Sequence, residues 1–150
     1  MMNNPATTIS GFKNTFMSNM HAATVKYEGL TFRSSEAAYQ AAKTLDLDAR
    51  IPFTRMNGYQ AKRAGKSLTL RPHWDEIKMS VMREILLIKF SDGYLAQRLI
   101  DTAPFTLIES VYWHDNFWGN CTCHRCQHIT GLNCLGKLLT EIREQLINQL

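Results

Sequence analysis

In the stretch SEAAYQAAK at residues 35–43, four side chains able to do chemistry recur at a single spacing. Glu36, Tyr39, Gln40 and Lys43 stand at i, i+3, i+4 and i+7, which puts them on one face of a helix. Alanines fill the remaining sides and permit close packing against neighbours. A carboxylate in the first turn of a helix is favoured by the helix dipole. Placed beside a sugar C1, such a carboxylate can stabilise an oxocarbenium-like cation. A lysine further along can bind a phosphate or act as an amine nucleophile toward an opened sugar aldehyde. A solvated face laced with charge pairs would show the same spacing, so periodicity alone leaves both readings open.

A second constellation is Glu109-Ser110 followed by YWHDNFWG at residues 112–119. Tyr112, Trp113, Phe117 and Trp118 crowd into it beside His114 and Asp115. Loops that concentrate such groups on a packed scaffold more often bind ligands than fill cores. Tryptophan stacks on flat bases, and Asp115 offers a second acid for glycosidic chemistry. The competing reading has Trp113 and Trp118 simply anchoring a long loop. Trp74 and Lys78 form an i, i+4 pair shortly after Arg71, and Arg71 with Lys78 near a helix N-terminus could hold a phosphate. Lys62, between two glycines, is a further candidate for phosphate contact.

The four cysteines, Cys121, Cys123, Cys126 and Cys134, lie within fourteen residues, with His124 and His128 among them. A secreted disulfide framework would spread its cysteines along the chain. The cluster suits reduced thiols, or a structural zinc site using Cys121, Cys123 and Cys126 with Cys134 or His128 as the fourth ligand. No catalytic metal pattern accompanies it, so no cofactor is required by this reading. There is no P-loop, no G-x-G-x-x-G and no G-x-S-x-G, which leaves triphosphate hydrolysis, dinucleotide redox and serine-hydrolase chemistry without local support.

The elements that must position these groups are short. Around Glu28-Gly29, apolar and polar residues alternate from Thr24 to Phe32, which reads as a small hairpin. Ser34 and Ser35 offer an N-cap for a helix running to about Leu45. GYQAKRAG at residues 58–65 makes one or two helical turns, and Trp74, Ile77, Val81, Ile85 and Ile88 mark a long helix. A short helix follows over about Tyr94 to Asp101, then a strand from Thr106 to Ser110. Leu135, Leu138, Leu139, Ile142 and Leu146 mark a last helix from about Asn133. The class is α+β: a single, mostly helical domain over residues 13–150 with a small β-hairpin or sheet element, preceded by a flexible arm over residues 1–12.

Size and charge agree with a domain of this kind. The chain has 150 residues, 45% hydrophobic and 20% charged, with a net charge of +4. A chain this long buries roughly two-thirds of its unfolded surface and needs no staple to fold. The basic excess suits a phosphate-bearing ligand but falls short of a nucleic-acid-coating tail. No segment approaches a membrane span, and the N-terminal residues lack the charged and apolar regions of a secretory signal. The expected setting is cytoplasmic, with no membrane partner.

The motifs follow one another in a definite order. They begin with Phe16-x-Ser18-Asn19, the hairpin Tyr27-Glu28-Gly29-x-x-Phe32 and Ser35-Glu36-x-x-Tyr39-Gln40-x-x-Lys43. Ala61-Lys62-x-x-Gly65, Arg71-x-x-Trp74-x-x-x-Lys78-x-x-x-Met82 and Lys89-Phe90 follow. Leu107-Ile108-Glu109-Ser110, Asp115-x-x-Trp118-Gly119 and Gly131-x-Asn133-x-Leu135-Gly136 close the pattern, which extends to Arg143. Taken together in this order, they resemble the NADAR (YbiA-like) family of N-glycosidases. The resemblance implies cleavage of an N-glycosidic bond between a phosphorylated ribose or ADP-ribose and a base. Activities described for the family include removal of ADP-ribose from guanine in DNA or RNA and cleavage of riboflavin-pathway intermediates. It further implies Glu36 and Asp115 as functional carboxylates, Trp74 and Trp118 as functional tryptophans, and Lys43 as the lysine of the same motif. Tyr39, Gln40, Arg71, Lys78, Lys62 and Asn19 are the accompanying candidates for substrate contact. Two departures flank the expected site. A Cys-rich insertion occupies residues 119–131, and Trp113-His114 replaces the usual small and Pro/Tyr residues. A non-catalytic reader of ADP-ribose would use the same aromatic and basic groups without needing two carboxylates, and a zinc-stabilised nucleic-acid-interaction domain would need bound metal.

Overall fold

In the computed structural model, which describes residues 7–150, the elements follow one another as β1 (Thr8–Ser10), β2 (Val25–Tyr27), β3 (Leu30–Phe32) and α1 (Ser35–Ala41). Then come α2 (Leu47–Arg50), a 3-10 turn (Ile51–Arg55), α3 (Gly58–Gly65), α4 (Trp74–Lys89) and α5 (Gly93–Ile100). The chain ends with β4 (Thr106–Ile108), β5 (Ser110–Val111), β6 (Asn120–Cys121), a 3-10 turn (His124–Cys126) and α6 (Cys134–Asn148). The fold is α+β, and no helix among the described residues is long and apolar enough to cross a membrane. The described residues group into two compact units, residues 14–92 and residues 7–13 with 93–150.

In the unit of residues 14–92, β2 and β3 form the expected hairpin, antiparallel with Tyr27 opposite Leu30. Glu28 and Gly29 both take positive φ, 46° and 84°, which is the backbone of a type I′ turn matching strand twist. Glutamate is a poor residue for such a slot, but its carboxylate receives Arg50 Nη1 at 2.6 Å. That guanidinium is 2% exposed and also donates from Nε to Thr44 O at 2.8 Å. The ion pair holds the Glu28 carboxyl below its ordinary pKa, with the Arg50 hydrogen bond as the main cause. Helix α1 packs against α3 and α4, and every one of its residues is buried. The helix is shorter than its alanine content predicts. Lys43 N–H turns to Gln40 O and Thr44 N–H to Ala41 O, i to i−3 bonds that tighten the end.

The long helix α4 starts at Trp74 as its periodicity requires, and its last residue does unexpected work. Lys89 is 1% exposed, and its ammonium donates to Phe16 O at 2.7 Å and to Ser18 O at 3.0 Å. Phe90 meets Phe16 edge-on, at 6.4 Å between centroids. The backbone at Phe16 and Ser18, ahead of β2, is thereby fixed to the end of α4.

In the other unit, β1 pairs in parallel with β4, Thr8 opposite Thr106. Residues 1–6 of the expected arm lie outside the described residues, whereas from Thr8 onward the chain is paired rather than loose. Phe12 is fully buried and its N–H donates to Glu109 Oε1 at 3.0 Å, which explains why a polar-looking segment is held. The single strand expected over Thr106 to Ser110 breaks at Glu109. β4 pairs with β1 and β5 pairs in parallel with β6. Between them, Glu109 N–H donates to Asn133 Oδ1 at 2.9 Å while Asn133 Nδ2 donates to Leu107 O at 2.9 Å. Helix α6 packs on β4 and α5, and Arg143, 4% exposed, donates from Nη1 to Phe105 O and Thr102 Oγ1.

Lys89 generates a test. Burial pushes its amine down to about 7 from 10.5, so the unfolded chain binds more protons at this site between those values. Stability is therefore expected to rise as pH rises from about 7 toward 10.5. Lys89→Met should abolish that rise and cost about 1–3 kcal/mol for each carbonyl left unpaired, as read by urea denaturation across this pH range.

Candidate functional site

Helix α1 carries the candidate groups, and its first turn is held from two sides. Ser34 Oγ accepts the Ala37 N–H at 3.1 Å, the N-cap that the sequence predicts. Asn19 O accepts the Glu36 N–H at 3.0 Å, and Asn19 Oδ1 accepts Ser35 Oγ–H at 2.8 Å. Asn19, expected to touch substrate, thus anchors the start of the helix and the backbone of Glu36.

The face at residues 36, 39, 40 and 43 is not a solvated ladder of charge pairs. Glu36 is 8% exposed, Gln40 4% and Tyr39 6%. Gln40 Nε2 donates to Glu36 Oε1 at 2.7 Å, which orients the carboxylate. The other amide oxygen, Gln40 Oε1, is buried without a hydrogen-bond partner. Space for these two side chains comes from α3. Gly58, Ala61 and Gly65 are its buried residues, at i, i+3 and i+7 on one face. A Cβ at Gly65 would collide with the Gln40 amide, and one at Gly58 would lie 3.4 Å from Glu36 Cβ. The two glycines were legible as breaks, but only the packing shows what they admit: the Gln40 amide at Gly65 and the Met20 side chain at Gly58.

Lys43 is half-buried, with its ammonium 5.6 Å from the centroid of the Tyr39 ring. Burial lowers its pKa, the Glu36 charge opposes this, and the Lys62 and Lys78 charges lower it further. Lys43 therefore lies within electrostatic reach of Glu36, Lys62 and Lys78. Lys78 also meets Asp75 Oδ1 at 3.2 Å, and Lys62 is exposed on α3. Trp74 is 6% exposed and packs on Tyr39 at 5.3 Å between centroids, tilted by 48°; it is covered rather than presented as an open stacking plate. Arg71 is tied to the C-terminal end of α1, its N–H to Lys43 O at 2.7 Å and Nη1 to Ala42 O at 3.3 Å.

Asp115 and Trp118 belong to the unit of residues 7–13 with 93–150. Asp115 Oδ1 accepts the N–H groups of Phe117 and Trp118 at 3.1 and 2.9 Å, so one carboxylate oxygen shapes its own loop. Trp118 is partly exposed, and Phe117 meets it edge-on at 4.8 Å. Trp118 O and Phe117 O accept the N–H groups of Leu135 and Cys134 at the start of α6. Gly119 lies against Glu109 O, where any Cβ would clash.

Among the described residues, one His/Cys cluster could hold a metal: His114, Cys121, Cys123 and Cys126. Neither Cys134 nor His128, the fourth ligands expected from sequence, takes part. Cys134 is buried at the first turn of α6, whereas His128 is exposed. His114 takes φ 68°, a left-handed turn that accompanies the approach of its ring to the thiols. Its place beside Asp115 in the aromatic stretch concealed this role.

The α1–α3 contact yields a prediction. Gly65→Ala should displace the Gln40 amide from Glu36 and lower stability by about 1–3 kcal/mol through overpacking, as measured by thermal and denaturant unfolding.

Comparison with known proteins gives these groups their setting. The family model described as the NADAR domain matches residues 2–147. The N-glycosidase YbiA of Escherichia coli strain K12 is 38% identical over 133 residues, covering 86% of this chain and 79% of that protein. The riboflavin biosynthesis protein VVA0006 of Vibrio vulnificus is 31% identical over 135 residues, covering 87% of this chain and 35% of that protein. The NMR structure of the E. coli protein YbiA matches with a TM-score of 0.81 at 34% identity, covering 99% of this chain and 89% of that one. With its buried glutamate motif, its hairpin and its C-terminal helix in one order along a matching fold, the chain belongs to the NADAR domain family.

Proposed function

We propose that this protein is an N-glycosidase that hydrolyses the bond between a base and a phosphorylated ribose or ADP-ribose. The observation that carries the reading is Glu36: a buried carboxylate, oriented by Gln40 at 2.7 Å, in the field of Lys43, whose ammonium in turn feels Lys62 and Lys78. A carboxylate of this kind answers the positive charge that develops at C1 of the sugar as the bond to the base breaks. The lysines answer the phosphates. The names of the relatives, N-glycosidase and riboflavin biosynthesis protein, agree with this chemistry.

In the reaction, the C1–N bond breaks with its electron pair passing to the base nitrogen. Water adds its hydroxyl to C1, and its remaining proton is balanced by protonation of the base. Asp115, as the second carboxylate, and Trp118, for the base, enter through the family motif alone. Lys43 admits a second route, in which its amine adds to C1 of the ring-opened sugar and expels the base with its electron pair and a proton, leaving an imine that water hydrolyses to the sugar aldehyde and the free amine. The lowered pKa of Lys43 favours the free amine this needs.

The test is mass-spectrometric turnover by wild type and Glu36→Gln of an oligonucleotide carrying ADP-ribosylated guanine and, separately, of phosphorylated riboflavin-pathway intermediates. Wild type should cleave one class, and Glu36→Gln should lose about 10²–10³-fold in rate while retaining ligand affinity. Cleavage of the oligonucleotide alone would identify ADP-ribosylated nucleic acid as the substrate, and cleavage of the free intermediates alone would identify a metabolite. Binding of ADP-ribose with no turnover of either class would overturn the enzyme and favour a reader module. Borohydride added during turnover should leave a ribose adduct on Lys43 if the imine route operates; no adduct with active enzyme removes that route.

A further inference from the structure

The Cys-rich insertion lies outside the chemistry assigned above, and its geometry is that of a ligand set. Cys121 is the last residue of β6, and an extended strand sends alternate side chains to the same side. Cys123 also has extended backbone, φ −68° and ψ 162°, so Cys121 and Cys123 point together. The 3-10 turn His124–Cys126 then brings Cys126 back, with its N–H on Cys123 O at 3.0 Å. From the other side of the loop, the left-handed turn at His114 delivers Nδ1 to 3.3 Å from Cys123 Sγ and 3.4 Å from Cys126 Sγ. All four donor atoms lie within 4.8 Å of one another.

We propose that His114, Cys121, Cys123 and Cys126 bind one zinc ion, and that this ion fixes the segment between His114 and Cys121, which carries Asp115 and Trp118. Zinc–sulfur bonds of about 2.3 Å and zinc–nitrogen bonds of about 2.0 Å set tetrahedral edges of about 3.5–3.8 Å. The cluster reaches those edges by side-chain shifts of about 1 Å or less. Three thiols and one imidazole form a donor set that structural zinc uses and that hard cations such as magnesium do not. None of the four cysteines is in a disulfide, and a disulfide within the cluster would strand the third thiol.

The surroundings favour an ion over packing alone. The buried apolar cluster of this corner is small: Val111, Cys121 and Cys126, with Cys123 against them, so three of its four members are the thiols themselves. Tyr112, Trp113, Ile129 and Leu132 of the same region are exposed. Three thiolates around a divalent cation leave one negative charge, which the neighbouring Arg125 can offset. Arg125 Nη2 lies 2.6 Å from His114 Nε2. With zinc on Nδ1 the ring proton sits on Nε2, so this contact must open as the ion binds.

The experiment uses the full chain as purified. Metal content after gel filtration should be one zinc per chain, in wild type and equally in Cys134→Ser, whose sulfur lies outside the cluster. Exchange of zinc for cobalt(II) should give the intense visible bands of a tetrahedral site together with thiolate-to-metal charge transfer. His114→Ala and Cys123→Ser should each weaken zinc binding by more than about 100-fold. Chelation should speed proteolysis within residues 112–131 while residues 14–92 stay protected. Absence of stoichiometric zinc, a six-coordinate cobalt spectrum, or equal loss of zinc from Cys134→Ser and Cys123→Ser would overturn the site. If a ligand variant fails to fold, the zinc content and cobalt spectrum of wild type decide. These readouts do not depend on glycosidase turnover, so the metal site and the proposed activity stand or fall separately.

Discussion

The site depends on one contact, the close approach of α1 and α3 through residues with almost no side chain. Burying a carboxylate is costly unless polar partners and opposite charge surround it. Here Gly65, on a buried face of α3 shared with Gly58 and Ala61, lets the Gln40 amide lie against the helix backbone beside Glu36. Exclusion of water then strengthens what remains: the Gln40 hydrogen bond and the attraction of Lys43. A larger residue on that face of α3 would separate the helices, admit water and weaken the field at the carboxylate.

Position is conveyed to Glu36 along a short chain of hydrogen bonds that begins at the far end of α4. Lys89 fixes the carbonyls of Phe16 and Ser18, and the next residue, Asn19, receives the Glu36 N–H and the Ser35 hydroxyl. Buried cations recur as fasteners elsewhere. Arg50 joins Thr44 O to the hairpin turn, and Arg143 joins α6 to the residues preceding β4. In each case the positive group satisfies carbonyls that short, irregular connections leave unpaired.

Much of this was legible in the residues. The hairpin turn, the N-cap at Ser34 and the start of α4 at Trp74 follow from local rules, since each depends on neighbours in sequence. The shared face of Glu36, Tyr39, Gln40 and Lys43 was legible too, but not its burial, because spacing fixes a direction and not what covers it. Trp74 and Arg71 read as groups for a ligand; their packing on Tyr39 and on the end of α1 arises from tertiary contacts that no local pattern records. The same holds for His114. Its approach to the thiols depends on a left-handed backbone angle, which a histidine adopts without announcing it. Parallel pairing of β1 was beyond reach for a related reason: its partner, Thr106–Ile108, is remote in sequence.

That pairing has a consequence for the order in which the protein can assemble. The bond from Phe12 to Glu109 spans 97 residues, and β1 finds its partner only at Thr106–Ile108. Residues 14–92 contain every contact described within their own unit, so that unit can condense while later residues are still being synthesised. β1 is made before that unit yet completes a sheet with residues made after it, and closing so long a loop is entropically slow. During synthesis β1 therefore stays without its partner strand until Thr106–Ile108 have been made.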